Sequence, residues 1–324
     1  MSTVPEARRA CPVHRVSCTW NMPDWALGGN GGNVNDTPNV PPGVDPTRAS
    51  PARLYDYYLG GTTNFAVDRE AADRLKVAAP DLIDAVWANR GFHGRAAVWL
   101  AEQGIRQFID IGSGLPTQNN THEAVHKVDA DARVVYVDND PMVAAHADAL
   151  VADDGTTTVI IADLRDPDAL LGHPGLRELI DFAEPVGVLM TAVLQFVADG
   201  SNPWGLVARY MGAVVPGSYL ALSHPTKDNL PPRSVQAALD TYANATAQVH
   251  PRSKAEVERF FAGLELLEPY IGAGPAVTFV GLWGAEDPVA ADTDGSRAFY
   301  CGVARRPATT TRGGYAPGTP GGLR

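Results

Sequence analysis

The chain has 324 residues, 45% of them hydrophobic, and 26 basic against 37 acidic side chains give a formal charge of −11. That length and apolar content suffice for one large core, no apolar run is long enough to span a bilayer, and the polar start Met1–Ala10 lacks the apolar stretch of a secretory signal. Residues 1–50 carry four basic and four acidic side chains and the tail from Ala308 carries two arginines, which leaves −13 on the rest, a charge that repels phosphodiester backbones and argues against nucleic acid as a partner.

In chain order, residues 1–50 are rich in Gly, Asn and Pro, lack apolar periodicity and are expected to be a disordered leader, with Trp20 and Trp25 as its apolar exceptions. Cys11 and Cys18 fall in this leader and Cys301 far from it, so free thiols in a reducing cytoplasm are expected rather than a disulfide framework or zinc cluster. From Ala52 the pattern is helical, with Leu54, Tyr57 and Tyr58 on one face until Gly60-Gly61 breaks it. Further helices are predicted over Asp68–Ala78 and Ile83–Gln103, the latter broken near Gly91 and Gly94. Lying before the first strand, these segments (51–104) are expected to cap a pocket.

Strands predicted at Phe108–Ile111, Arg133–Val137, Thr157–Ala162, Val186–Thr191 and Ser218–Ser223 then alternate with helices. The helices are placed at Thr121–Val128, Met142–Val151, Pro167–Leu171, Leu176–Phe182 and Pro203–Val214. This alternation predicts an α/β fold on a parallel sheet with right-handed crossovers. Helices at Pro232–Asn244 and Lys254–Phe261 and strands at Ala276–Leu282 and Ala298–Ala304 complete seven strands, and the tail from residue 308 is expected to be disordered.

The first strand runs into Asp110-Ile111-Gly112-Ser113-Gly114-Leu115-Pro116-Thr117, and the second ends in Asp138-Asn139-Asp140-Pro141. An apolar strand entering Asp-x-Gly-x-Gly, with a carboxylate at the neighbouring strand tip, is how an α/β sheet holds an adenosine-containing cofactor. The third glycine of the dinucleotide fingerprint is missing, and Asp110 would repel a pyrophosphate. An acidic loop suits S-adenosylmethionine, which carries a sulfonium and an ammonium and no phosphate.

These runs, together with Ala52–Ala72, Asn89-Arg90 and Arg252–Phe261, resemble the actinobacterial S-adenosylmethionine-dependent methyltransferase family once catalogued as a domain of unknown function, over about Pro51 to Arg306. The resemblance implies a class I methyltransferase (Rossmann-like) fold with seven-stranded order 3-2-1-4-5-7-6, the seventh strand antiparallel, and bound S-adenosylmethionine. It implies transfer to a small-molecule oxygen or nitrogen nucleophile, plausible for secondary metabolism. The alternatives are a protein that binds S-adenosylmethionine without transferring methyl, or a nicotinamide oxidoreductase.

Cofactor contacts are expected from Gly112 and Gly114, where a ligand meets backbone and a Cβ is unwelcome, with Asp110, Ser113 and Thr117 in the same loop. Asp138 is expected to accept from the ribose hydroxyls, with Asn139 along the adenosine edge and Asp140 better read as a helix cap before Pro141. Asp163 and the Leu164 amide are expected at the adenine, while Asp166 caps a helix. Ala192, Val193 and Gln195 follow the fourth strand beside the methionine end, with a buried strand terminus as the rival reading. Arg90 is placed at the cofactor carboxylate or in a surface ion pair, and Tyr58 and Asn64 form a lid. Methyl transfer needs alignment more than acid catalysis, so His93, His224 and Tyr57 are conceivable bases without a firm choice. His122 and His126 have a helical zinc-like spacing but no third ligand, and no metal is expected.

Overall fold

The computed structural model describes residues 40–117, 119–150 and 155–308; the leader calls on Cys11, Cys18, Trp20 and Trp25, and the tail from residue 309, lie outside the described residues. Helix α1 (Pro51–Tyr58) starts on a Ser50 cap with proline at its first position, and α2 (Ala66–Ala78) follows the Gly60-Gly61 turn. The hinge between them is pinned by an ion pair with almost no solvent contact. Arg53 Nε donates to Asp68 at 2.7 Å, and Asp68 also accepts from the backbone amides of Ser50 and Phe65.

Helix α3 (Leu82–Glu102) runs unbroken through Gly91 and Gly94, contrary to the expected interruption. Each glycine costs a helix interior about 1 kcal/mol. Here burial offsets it, because Phe92, Ala96, Ala97 and Leu100 are fully enclosed where the helix lies along the sheet.

The parallel strands are β1 (Gln107–Ile111), β2 (Arg133–Asp138), β3 (Thr157–Ile161), β4 (Gly187–Thr191) and β5 (Tyr219–Pro225). Between them lie α4 (Thr121–Val125), α5 (Pro141–Ala145), α6 (Pro167–Leu171), α7 (Pro174–Leu179) and α8 (Pro203–Ala213). The period-two alternation of the strands feeds two cores. Ile109, Ile111, Val135 and Val137 pack on one face, and Phe108, Val134 and Tyr136 pack with α3 on the other.

After α9 (Pro232–Ala243) and α10 (Lys254–Glu258) come β6 (Glu265–Leu266), β7 (Thr278–Phe279), α11 (Pro288–Ala291) and β8 (Phe299–Arg305). The order is β3-β2-β1-β4-β5-β8-β6, with β8 antiparallel beside β5, as in the class I methyltransferase plan. The edge position beyond β8 is shared by two short pieces, since both β6 and β7 pair with β8. The predicted strand 276–282 is cut short where the chain turns away at Gly281, whose absent Cβ would lie 2.3 Å from the Ala291 carbonyl oxygen.

Candidate active site

The strand order reverses between β1 and β4, and beyond the carboxyl ends of these strands such sheets bind ligands. A cavity of about 850 Å³ opens there, within the range of small-molecule sites. Its floor is built by the tips of β1 to β5, and its far wall by α1, the first half of α3, α9 and the segment 246–251.

Gly112 and Gly114 both have left-handed backbones, at φ 76° and 68°. The Gly112 and Ser113 amides donate to the Val137 carbonyl, which ties the loop to β2. A Cβ at Gly112 would fall 2.1 Å from Val193 Cγ2, whereas one at Gly114 meets nothing within 4 Å. The first glycine therefore serves packing, and the second keeps the cavity wall open.

Asp138 holds this arrangement, accepting from Gly114 N at 2.8 Å through Oδ2 and from Asp140 N at 2.9 Å through Oδ1. Burial raises its carboxyl above the usual range, partly opposed by these amides. Asp140 caps α5 through Met142 N at 2.8 Å and accepts from the Ser50 hydroxyl, so the cap reading holds. Asn139, Asp163 and Leu164 line the same end. Asp163 is already paired with Arg165, which holds its carboxyl below the ordinary range, and Asp166 caps α6.

Behind the glycine loop lies a buried relay of hydrogen bonds. Thr121 donates its single hydroxyl proton to Asp110 at 2.6 Å, so His93 Nε2 donates to Thr121 at 2.8 Å and its Nδ1 accepts from Thr191 at 2.9 Å. Desolvation drives the two groups in opposite directions, pushing Asp110 up to about 6 and His93 down to about 3, with the Arg90 charge lowering both. Arg90 itself is buried, lines the cavity and donates to Asn120, which also accepts from the Thr117 amide.

At the end of β4, Ala192 adopts φ 51°, a conformation that strains a residue with a Cβ. The bend aims the Ala192 carbonyl at Gln195 Nε2, which donates to it at 2.6 Å. Gln195 Oε1 is buried without a hydrogen-bond partner, as are Ser113 Oγ and the Tyr58 hydroxyl, and all three residues line the cavity with Ala192 and Val193.

Of the residues expected from sequence to contact the cofactor, Asn64 alone stays outside the cavity lining: it is held by Asp56 and the Gly61 carbonyl and accepts from Arg69. Tyr57 bonds to Asp73 outside the lining as well. His224 is fully enclosed, its Nδ1 donating to the Pro225 carbonyl and its Nε2 accepting from Arg252, with burial pushing it down to about 3. Arg252 also grips the carbonyls of Leu194 and Val197, which explains the Arg252-Ser253 run as a clamp on the loop after β4. His122 bonds to Tyr136 and His126 to the Ala132 carbonyl, and no metal-binding cluster occurs among the described residues. Sequence reading missed Asn89, Tyr242 and His250, which all line the cavity. His250 donates its backbone amide to the Gln195 carbonyl at 2.7 Å, and only its place two residues before Arg252 hinted at it.

Residues 38–307 match the model of the S-adenosyl methyltransferase family. The chain belongs to the S-adenosyl methyltransferase family. The methyltransferase is 39% identical to a DUF574 family protein from Streptomyces avermitilis, a match covering 80% of this chain and 98% of that one at a TM-score of 0.74. It is equally 39% identical to a protein from Thermobifida fusca described as a proposed methyltransferase, over 82% and 98% of the two chains at a TM-score of 0.75. A search of curated proteins finds no match. S-adenosylmethionine is thus the methyltransferase's cofactor, and the expected actinobacterial kinship is found. No helix among the described residues is long and apolar enough to cross a membrane.

Proposed function

We propose that this methyltransferase moves the methyl group of S-adenosylmethionine to an oxygen or nitrogen nucleophile of a small molecule by in-line displacement. The observation that carries this reading is a single cavity with two unlike ends: acidic strand tips at one, and tyrosines with aliphatic side chains from α1, α3 and α9 at the other.

The strand-tip end fits the cofactor. Asp138 spends one lone pair per oxygen on backbone amides, leaving the others for the two ribose hydroxyls. Gly114 presents bare backbone, Ser113 Oγ has a hydrogen bond still to make, and Asp163, Leu164 and Asn139 stand at the adenine side. Thr117, Asp110, Arg90, Ala192 and Val193 bound the methionine side. When bound, S-adenosylmethionine supplies a methyl group already activated on a sulfonium.

The chain's own work is alignment and exclusion of water from the nucleophile. Tyr58 on α1 closes the wall over the cavity. His93 and His224 have both ring nitrogens engaged, so neither serves as base. His250 is the imidazole that takes the acceptor's proton, for its ring makes no hydrogen bond among the described residues and borders the cavity beside Gln195. A panel of phenols, amines and carboxylic acids incubated with methyl-labelled donor tests the reading. Label on an oxygen or nitrogen of a panel member is expected, and label found only on nucleic acid or protein would refute it.

A further inference from the structure

Resting on the reading of His250 as base, we infer that Arg252, which does not line the cavity, is a positioning residue for methyl transfer: it sets where the His250 imidazole stands relative to the loop that follows β4. The His250 ring makes no hydrogen bond of its own among the described residues, so only its backbone can place it. One tie on that backbone is the His250 amide, which donates to the Gln195 carbonyl at 2.7 Å. The other comes through Pro251, whose ring fixes its own φ and favours extended backbone at His250. The position of Arg252 is therefore passed on to His250 with little slack.

Arg252 is 1% exposed, and every N–H of its guanidinium has an acceptor. Nη1 donates to the Leu194 carbonyl at 2.9 Å and to His224 Nε2 at 2.7 Å. Nη2 donates to the Val197 carbonyl and to Asp199 Oδ1, both at 2.7 Å, and Nε donates to the same Asp199 oxygen at 3.2 Å. The Arg252 amide donates to the Pro225 carbonyl at the end of β5. Burying a guanidinium is costly even when it is paired, and the rings of Trp204 and Phe260, 5.4 and 5.6 Å from Cζ, would pack an apolar side chain as well. What an apolar side chain lacks is donors for residues 194–199, which lie past the last strand pairing of β4 and turn their carbonyls to other partners. The rest of the covering segment leaves this task to Arg252. Helix α9 buries only Ser234, and the ties from Thr246 N to the Ala49 carbonyl and from Arg48 to the Ala245 carbonyl lie upstream of His250.

Lysine keeps the charge but offers its donors from a single point, which cannot reproduce this fork. NMR on the full chain labelled at histidine Cε1 and saturated with S-adenosylhomocysteine reads the placement, His250 being the line lost in His250→Ala. In Arg252→Lys that line should move toward the position of free histidine, while the lines of His126 and His173, bonded elsewhere, stay. Asp199→Ala removes a mostly exposed partner of the guanidinium, should shift the His250 line the same way, and decides the matter if Arg252→Lys does not fold. An unmoved His250 line in the folded variants would overturn the inference. Transfer of labelled methyl to the phenol labelled fastest in the panel above reads the consequence. Arg252→Lys should lower kcat about 10²-fold, the cost of a misplacement of about 1 Å, with KM for the phenol and affinity for S-adenosylhomocysteine within about twofold of wild type. In the His250→Ala background the same change should cost less than about twofold, because its effect runs through the imidazole. Equal losses in both backgrounds would overturn the inference and leave His250 as base, whereas undiminished transfer by His250→Ala would refute the base and this inference with it.

Discussion

Gly112 and Gly114 stand two residues apart in one loop, yet replacing each with alanine should damage different properties. At Gly112 the left-handed backbone, φ 76°, costs an L-residue about 1–2 kcal/mol. The new methyl would also lie 2.1 Å from Val193 Cγ2 and 2.5 Å from Val193 Cβ, both belonging to a stiff β-branched side chain in the core. Overpacking of this kind adds roughly 1–3 kcal/mol, so Gly112→Ala should destabilise by about 2–5 kcal/mol, a large part of a domain's usual margin. At Gly114, φ 68°, the backbone term stands alone because nothing lies within 4 Å. Gly114→Ala should therefore lose only about 1–2 kcal/mol of stability, while its methyl at the cavity wall weakens S-adenosylhomocysteine binding about tenfold or more. Urea unfolding gives the first quantity and calorimetry the second. Equal unfolding midpoints for Gly112→Ala and wild type, or undiminished binding by Gly114→Ala, would refute the division of labour between the two glycines.

Asp68→Ala strands the buried Arg53 guanidinium and frees two backbone amides, so urea unfolding should show a loss of about 3–5 kcal/mol; a loss under 1 kcal/mol would deny the hinge its role. The raised pKa of Asp110 means its contribution is complete below the ordinary Asp range and fades as pH climbs through about 6. The lowered pKa of His93 means its contribution is complete above the ordinary His range and fades as pH falls through about 3. Between pH 4 and 6 the two slopes oppose, so wild-type stability should be flatter there than that of Asp110→Asn, which should gain stability with rising pH; identical slopes would count against the coupled pair. For His250→Ala, kcat near neutral pH should fall about 10²–10⁴-fold and recover partly as pH rises and the acceptor ionises unaided, whereas an unchanged pH profile would remove His250 as base.

The meeting of the glycine loop and the second strand tip at one cavity was legible because its determinants are local. The strand running into Asp110-x-Gly112-x-Gly114 and the carboxylate at the tip of the next strand occupy fixed places in a βαβ unit, while the bond from the Gly114 amide to Asp138 is one the sequence did not announce. The caps Asp140 and Asp166 were equally local, since each stands directly before a proline that starts a helix. Continuity of α3 through Gly91 and Gly94 was not legible, because propensity speaks for breaking and only packing against the sheet speaks for continuing. The wall facing the strand tips was not legible, because Tyr55, Asn89, Ala192 and Ser223 stand far apart in sequence and are linked in one chain of hydrogen bonds that no periodicity announces. Asn64 shows the converse: it lies in a segment resembling the family, and the structure uses it to hold Asp56 at the turn.

The most direct measurement is calorimetric titration of the full chain with S-adenosylmethionine and, separately, with NADH, for wild type and Asp138→Asn. Wild type should bind S-adenosylmethionine at one site per chain and leave NADH unbound, and Asp138→Asn should lose about 1.5–3 kcal/mol of that affinity, the worth of a charged hydrogen bond. Binding of NADH without S-adenosylmethionine, or equal S-adenosylmethionine affinity in the two chains, would contradict the account.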